Sequence, residues 1–317
     1  MEKGCGELRT AYSDGMDFFT FAKRVETEES ALRFACELKL VREGPPPCPR
    51  CNAAMKWERG IRRRGVNGVW RCRNKAHTRT SRSLLHGSVF AQLQVPVSSF
   101  LKTVFFIAQD MTVDEIVANV HISRPTVIKI HKKLRDLMQQ YNTTHKRLIG
   151  GVGMVVETDE CHIHSRKYGV GRQEASEAWW VVGGICRQTH EMFVVVVEAR
   201  DKDTLTKAVF ENVRAGTTIY TDCWRGYCKL RQPDLGYTHK KVNHSKNFVN
   251  PDDPDVYTNT VERAWRTLRE NIPLQAGLDN VESYIQKFLF FRHAGCTNSI
   301  SKFNAMIELC RRSYPII

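Results

Sequence analysis

No stretch of the sequence approaches the ~20 consecutive apolar residues that a membrane-spanning helix needs. The first thirty residues mix acids, aromatics and polar groups, where a secretory signal would need a basic start and an apolar core. Together these absences predict a soluble, intracellular protein with no membrane partner. A disulfide framework is missing too. Eleven cysteines are present, but Cys161, Cys186, Cys223, Cys228 and Cys310 are scattered singly in apolar or mixed contexts, where a thiol behaves as a small buried hydrophobe. Acids are absent from one block altogether: residues 59–82 carry nine Lys/Arg and no Asp or Glu. Across the chain 48 Lys+Arg stand against 34 Asp+Glu, a formal net charge of +14. Such an excess favours polyanions, because neutralising phosphates releases condensed counterions. Concentrated in one block it reads as a phosphate-tracking surface, with Arg62, Arg63, Arg64, Arg71 and Arg73 as contact residues.

The 317 residues, 42% of them hydrophobic, are too many for one ordinary core and apolar enough for several. Changes of pattern divide them into an N-terminal helical segment (1–45), a Cys-containing module (46–92), a helical unit (93–148), an α/β unit (149–298) and a C-terminal helix (299–317). The Gly44-Pro45-Pro46-Pro47 run ends the first and Gly150-Gly151 opens the fourth.

Immediately after the prolines comes Cys48-Pro49-Arg50-Cys51, and twenty residues later Cys72 with His77. The spacing C-x2-C…C-x4-H suits two ligand-bearing turns facing one tetrahedral metal. Three thiolates and an imidazole suit one structural Zn²⁺, which would also replace the core that so short and polar a stretch lacks. His86 is the reserve for the fourth position, and two unrelated Cys pairs with an incidental histidine are the alternative.

In the helical unit Phe100, Leu101, Val104, Phe105 and Ile107 lie on a helix over 96–108. A second helix follows to Val120, with Thr112 and Glu115 forming a capping box. A third begins at Arg124, capped by Ser123, with Pro125 in its first turn, where proline is tolerated. Two short helices joined by a tight turn fit either an ordinary helical hairpin or a helix-turn-helix. In the second case Arg124, Thr126, Lys129, Lys132 and Lys133 would face phosphate or base edges.

Beyond Gly151 the pattern turns to strands over 152–158, 178–186, 192–199, 217–221 and 238–242. Helices are expected over 203–213, 224–230, 259–272, 281–293 and 300–312, so the unit is a layered α/β domain. Asp159 and Asp222 are expected to close the first and fourth of these strands, where open α/β sheets place their ligand crevice. On the 259–272 helix Val261, Trp265, Leu268 and Ile272 make the buried stripe, and Glu262, Arg266 and Arg269 share an adjacent face. Asn259-x-x-Glu262 is also a capping-box pattern, so Glu262 is either a catalytic acid or a helix cap. Three carboxylates are what in-line phosphodiester cleavage needs to hold two divalent ions, Asp159 bridging both while Asp222 and Glu262 hold one each. Arg166, Lys167 and Arg172, in the Gly-containing loop after Asp159, either clamp a phosphate or form an exposed basic hairpin. His162 and His164 are poorer ligands for hard Mg²⁺ than the carboxylates.

The order of these parts resembles a known family. A Cys-rich module and two short helices precede Glu157-Thr158-Asp159-Glu160. Then come Tyr220-Thr221-Asp222-Cys223-Trp224-Arg225-Gly226-Tyr227, Asn243-His244-Ser245 and Asn259-Thr260-Val261-Glu262. This is similar to the Merlin-type DDE transposases of eukaryotes, relatives of bacterial insertion-sequence transposases, over nearly the whole chain. The resemblance implies an RNase H-like catalytic domain behind a zinc-ribbon-like module and an all-α helix-turn-helix domain. It implies Asp159, Asp222 and Glu262 as the triad, with two Mg²⁺ or Mn²⁺ per site. It also implies binding of terminal inverted repeats and target DNA, cut-and-paste transposition, a homodimer or higher homo-oligomer, and the nucleus as location. Asn259 and His244 fall in motifs beside the site. His77 departs from the pattern, since relatives usually show a fourth cysteine. A domesticated DNA-binding regulator that no longer cuts, and a non-mobile nuclease of the same fold, are the competing readings.

Overall fold

The computed structural model describes residues 17–59, 68–77, 80–93, 95–164, 178–222, 225–231, 234, 236–242, 256–273 and 278–315. They form two compact units, one of residues 1–137 with 294–317, the other Met138–His293.

The first unit begins with helices α1 (Phe18–Arg24) and α2 (Glu28–Glu37), each started by a side-chain cap, Asp17 and Thr27 respectively. A three-stranded antiparallel sheet follows: β1 (Lys56–Arg59), β2 (Gly68–Arg71) and β3 (Ser81–Ser83), in the order β1-β2-β3. Next come α3 (Val97–Ala108), α4 (Val113–Val120) and α5 (Arg124–Thr144), whose last turns belong to the second unit. The last helix of the chain, α9 (Ser299–Ser313), is also part of the first unit. Its Phe303 joins Phe21 of α1 and Phe105 of α3 in an aromatic knot, the Phe21 and Phe105 rings stacked at 4.1 Å. Proline precedes α3 and offers no cap. Glu28 of α2 supplies it across the unit, accepting from the backbone N–H groups of Val97 (2.7 Å) and Ser98 (2.9 Å).

The expected Thr112–Glu115 capping box opens α4, which ends at His121 in a left-handed conformation, φ 57°. The turn leads directly into α5, where Val127, Ile130 and Leu134 are buried. Here α5 runs to Thr144, past the Arg135 at which the basic pattern ends, because Leu137 and Met138 continue the apolar stripe.

The second unit is built on a five-stranded sheet: β4 (Val155–His164), β5 (Ala178–Cys186), β6 (Met192–Val197), β7 (Thr218–Asp222) and β8 (Thr238–Val242), ordered β6-β5-β4-β7-β8. Strands β4, β5 and β6 form an antiparallel meander, and β7 and β8 lie parallel to β4. Between β6 and β7 the chain crosses through α6 (Lys202–Phe210), started by Asp201, which accepts from the N–H groups of Asp203 and Thr204. Helices α7 (Asn259–Asn271) and α8 (Leu278–His293) complete the unit. Two cores sandwich the sheet. On one face Cys161, Ile163, Val181 and Ile185 meet Val261, Trp265 and Leu268 of α7 and Val281, Ile285 and Leu289 of α8. On the other, Val156, Val182 and Ile219 meet Leu205 and Val209 of α6 with Tyr227 and Leu230. A meander followed by two parallel strands, with helices on both faces, is an RNase H-like arrangement.

The expected α/β class stands, but the first strand is displaced and longer. In place of 152–158 it spans Val155–His164, because the polar run Glu157–His164 that breaks the apolar pattern pairs, from Val156 onward, with the apolar β5 all the way to Ala178. The helix expected over 224–230 is a 3-10 turn, Arg225–Arg231.

Candidate active site

Asp159 therefore lies inside β4 and not at its end. This corrects the expected placement, and the reason it still opens onto a crevice is the register. β7 pairs with β4 only from Val155↔Thr218 to Glu157↔Tyr220. Carrying the same offset two residues further sets Asp159 beside Asp222, the last residue of β7. Residues paired in a parallel ladder share a face, so both carboxylates emerge together, just where the ladder stops.

That face is the one α7 covers. Three contacts step along both elements in the same direction. Glu157 accepts from the N–H groups of Thr260 (2.8 Å) and Val261 (3.0 Å); Trp265 donates from Nε1 to Asp159 Oδ2 (3.0 Å); Arg269 donates to Cys161 Sγ (3.2 Å). Gly183 is paired with Asp159 across β5, and a side chain there is impossible: an added Cβ would lie 2.5 Å from the Trp265 ring and 2.6 Å from the Phe193 carbonyl oxygen. The missing side chain lets the indole lie close on the sheet and reach Asp159.

The expected Asn259–Glu262 capping box does not form, because Asn259 lies inside the helix. The helix starts from Thr258, which makes no side-chain capping bond, and the start is capped by Glu157 of β4. Glu262 is an exposed residue of the first turn, close enough to Asp159 for its charge to be felt there. Glu157 is in turn held by Arg187, whose Nε donates to its Oε1 at 2.6 Å. The guanidinium lies 3.6 Å over the Tyr257 ring and donates to the Tyr257 carbonyl oxygen.

Electrostatics mark the cluster. Burial, with the neighbouring Asp222 and Glu262 charges adding to it, pushes the Asp159 carboxyl up from 3.8 to about 6, against the lowering Trp265 bond. Glu160, on the opposite face, is pushed up to about 7, again by burial first and then by Asp159 and Asp222. Its buried Oε1 has the equally buried hydroxyl of Tyr227 as a neighbour, and burial pushes the ionisation of that phenol well above its usual range. Oxygen donors whose negative charges converge in a poorly hydrated site are the set a hard divalent cation fits. Sequence reasoning missed Glu157, Glu160, Trp265 as a partner of Asp159, and Gly183; of these only the clustering of three acids within Glu157–Glu160 was a visible signal.

In the first unit the Sγ atoms of Cys48, Cys51 and Cys72 all lie within 4.8 Å of one another, those of Cys51 and Cys72 at 3.7 Å. Burial works against ionisation of Cys48, but the Arg50 and Cys51 amides and the neighbouring thiols bring it down to about 6. Against the lowering Asn74 amide, burial and the Cys48 and Cys51 thiols push Cys72 up. Three sulfur donors converging in this way, one of them readily ionised, fit a soft tetrahedral ion. The side chain of His77 is outside the described residues; its backbone lies in a 3-10 turn, Lys75–His77. His86 is exposed and does not join the cysteine cluster.

The basic residues are placed unevenly. Arg62, Arg63, Arg64, Arg166, Lys167, Arg172 and His244 lie outside the described residues. Arg71 and Arg73 both pair with Glu58, at 2.6 and 3.6 Å. On α5, Arg124 pairs with Asp114, Thr126 bonds Ser123, Lys133 lies over the Tyr314 ring, and Lys132 pairs with Asp136 at 3.6 Å; Lys129 and Lys132 are both exposed. On α7, Arg266 pairs with Glu270 at 3.3 Å, and Asn259 is the first helical residue.

Residues 149–290 match the family model of the ISXO2-like transposase domain, a span that holds Asp159, Asp222 and Glu262. Over that span the chain is similar to ISXO2-like transposase domains. No curated protein matches the sequence. Among solved structures, the chain is similar to the HTLV-2 integrase catalytic core domain in complex with magnesium: 14% identity and TM-score 0.30, covering 46% of this chain and 87% of that one. It is also similar to the protein of the Mos1 strand transfer complex, at 10% identity and TM-score 0.27, covering 67% and 74% of the two chains. For the pre-cleavage Mos1 transpososome the values are 9% and 0.27, covering 95% and 87%. At these scores the likenesses are distant, and the fold of this domain rests on its own strand order.

Proposed function

We propose that this protein is a DDE transposase of the Merlin type that binds the terminal inverted repeats of a DNA transposon and cuts and joins DNA strands in cut-and-paste transposition. One observation carries the reading. Asp159 and Asp222 stand at matched register on one sheet face, beside a helix whose start is capped by another acid, so that Glu262 is available to the same cluster.

On this reading Asp159, held by the Trp265 indole, Asp222 and Glu262 would hold two Mg²⁺ or Mn²⁺ ions. Those ions would supply an activated water or 3′-hydroxyl and charge stabilisation for the leaving oxygen. The Glu157–Arg187 pair fixes the start of α7 and hence the approach of Glu262. In the first unit Cys48, Cys51 and Cys72, with His77 as fourth ligand, would hold one structural Zn²⁺. Helices α4 and α5 would act as a helix-turn-helix, with the exposed Lys129 and Lys132 toward DNA. The basic block 59–82 and the loop with Arg166, Lys167 and Arg172 add phosphate contacts, and synapsis of two transposon ends calls for a homodimer or larger assembly in the nucleus.

The test is strand cleavage and strand transfer on inverted-repeat DNA with Mg²⁺ or Mn²⁺, wild type against Asp222→Ala. Nicked and joined products from wild type alone support the reading. Equal background from two proteins that both bind the DNA would replace it with that of a DNA-binding regulator.

A further inference from the structure

The small sheet of the first unit has one feature that neither the triad nor the cysteine cluster uses. Trp57, Trp70 and Arg82 are directly opposite one another across its three strands, Trp57↔Trp70 and Trp70↔Arg82, so all three side chains share one face. The two indoles meet edge to face with centroids 5.2 Å apart. Trp70 has a structural task, since it packs against the cluster of Cys48, Met55 and Cys72. Trp57 does not: it is 37% exposed, on a four-residue strand with little other apolar surface. A tryptophan left in water on so small a module forgoes burial that the module needs.

The distribution of charge points the same way. Toward the other face Glu58 holds both Arg71 and Arg73, so that part of the basic block is largely neutralised. Arg82 has no ion pair among the described residues. Beside it opens a cavity of about 190 Å³ lined by Arg42, Trp70, Arg82, Ser83, His86 and Gly87, among others. That is below the ~300 Å³ at which ordinary small-molecule pockets begin, so it takes one planar ring or one phosphate group, not a length of chain. An aromatic platform flanked by cations is how proteins hold unpaired nucleotides: every base has a face to stack, and the phosphate beside it finds the positive charge. Duplex DNA offers no such ring, because its bases are stacked on each other.

We propose that this sheet face and the cavity beside it hold one unpaired nucleotide of a DNA strand, the base outside on the Trp57–Trp70 pair and its phosphate in the cavity at Arg42, Arg82 and His86. The proposal rests on the reading that the chain acts on DNA, and it goes further: at this module the DNA is engaged where it is frayed, tailed or extruded, without regard to which base is presented.

The experiment uses the full-length, zinc-loaded protein in Mg²⁺-free buffer at fixed salt. Fluorescence anisotropy compares a labelled blunt duplex with the same duplex carrying a short single-stranded tail. Wild type should bind the tailed duplex about tenfold more tightly, the lower part of the range for one stacked base. Trp57→Ala should remove that preference while leaving blunt-duplex affinity and zinc content unchanged, Arg82→Ala should remove it with zinc content unchanged, and Trp57→Tyr should keep it. If Trp57→Ala fails to fold, Trp57→Leu takes its place, apolar but without a ring. Equal wild-type affinity for the two DNAs, or a preference that survives both the Trp57 and the Arg82 substitution, overturns the proposal. The two readings fail separately. Wild type that cuts and joins inverted-repeat DNA but ignores the tail defeats the pocket alone, and wild type that prefers the tail but never cuts defeats the transposase reading alone.

Discussion

Replacing Asp159 by asparagine should make the metal-free protein more stable, while leaving it inactive. The folded state holds the Asp159 carboxyl at about 6 against an ordinary 3.8. Each unit of difference is worth about 1.4 kcal/mol. The group binds its proton more tightly folded than unfolded, so it carries no penalty below the unfolded pKa, and stability falls as pH rises from about 4 to about 6, after which the loss is complete. At pH 7.5 the ionised, buried carboxylate therefore costs about 3 kcal/mol, and at pH 5 roughly half as much. The substituted amide would keep an acceptor for the Trp265 indole and remove the charge. Urea melts in EDTA should show the variant more stable than wild type by up to about 3 kcal/mol at pH 7.5, narrowing by about half at pH 5. Millimolar Mg²⁺ should raise the wild-type midpoint and leave the variant almost unmoved, because a ligand stabilises only the state that binds it. An Asp159→Asn variant equal to or weaker than wild type at both pH values in EDTA would refute the argument that this acid stands uncompensated.

Three other substitutions and one metal experiment test the rest of the frame. Gly183→Ala, forced against the Trp265 ring and the Phe193 carbonyl, should cost ~1–3 kcal/mol in urea melts and lower cleavage by displacing the indole from Asp159. Glu157→Gln leaves Arg187 without its charge partner and weakens the cap of α7; a loss of ~3–5 kcal/mol is expected by denaturant titration, and an unchanged midpoint would count against the latch. Glu28→Gln should destabilise the first unit by ~1–2 kcal/mol through the start of α3, read as an earlier thermal transition. Cys51→Ser should cut bound zinc below one per chain by elemental analysis, and chelation should loosen the small sheet; full zinc in the variant would remove Cys51 from the ligand set.

Much of this was legible from the residues. The layered α/β class, the helices other than that expected over 224–230, and the three cysteines followed from periodicity and spacing, and the Thr112–Glu115 box formed as written. What failed shares one physical cause: tertiary partners replaced local ones. The polar run Glu157–His164 looked like the end of a strand, yet it is the strand, because β5 supplies the apolar surface and the hydrogen bonds. Asn259-x-x-Glu262 looked like a self-contained cap, yet the cap comes from a glutamate 103 residues earlier. Arg71 and Arg73 counted as phosphate contacts because their block holds no acid, yet Glu58, one residue before the block, pairs with both. A window of sequence shows which groups need partners, but not which distant group will meet the need.

The acids of β4 show how the fold treats a structural carboxylate and the one proposed to hold metal differently. Glu157 is fully buried, and both of its oxygens are answered: one by Arg187, the other by two helix N–H groups. Opposite charge and the helix dipole offset the water it loses. Two residues on, Asp159 receives the Trp265 indole N–H and the Glu160 amide but no cation, and faces Asp222 and Glu262, so burial and like charge together push it up to about 6. The protein could have neutralised this position as it did Glu157; Arg269 reaches the same face two residues further along, where it meets Cys161 instead. Positive charge is thus placed on either side of Asp159 and withheld from it. A fold selected for stability alone would not keep that arrangement, whereas a site that must bind divalent cations requires it, because an internal cation at that point would occupy the place of the external one.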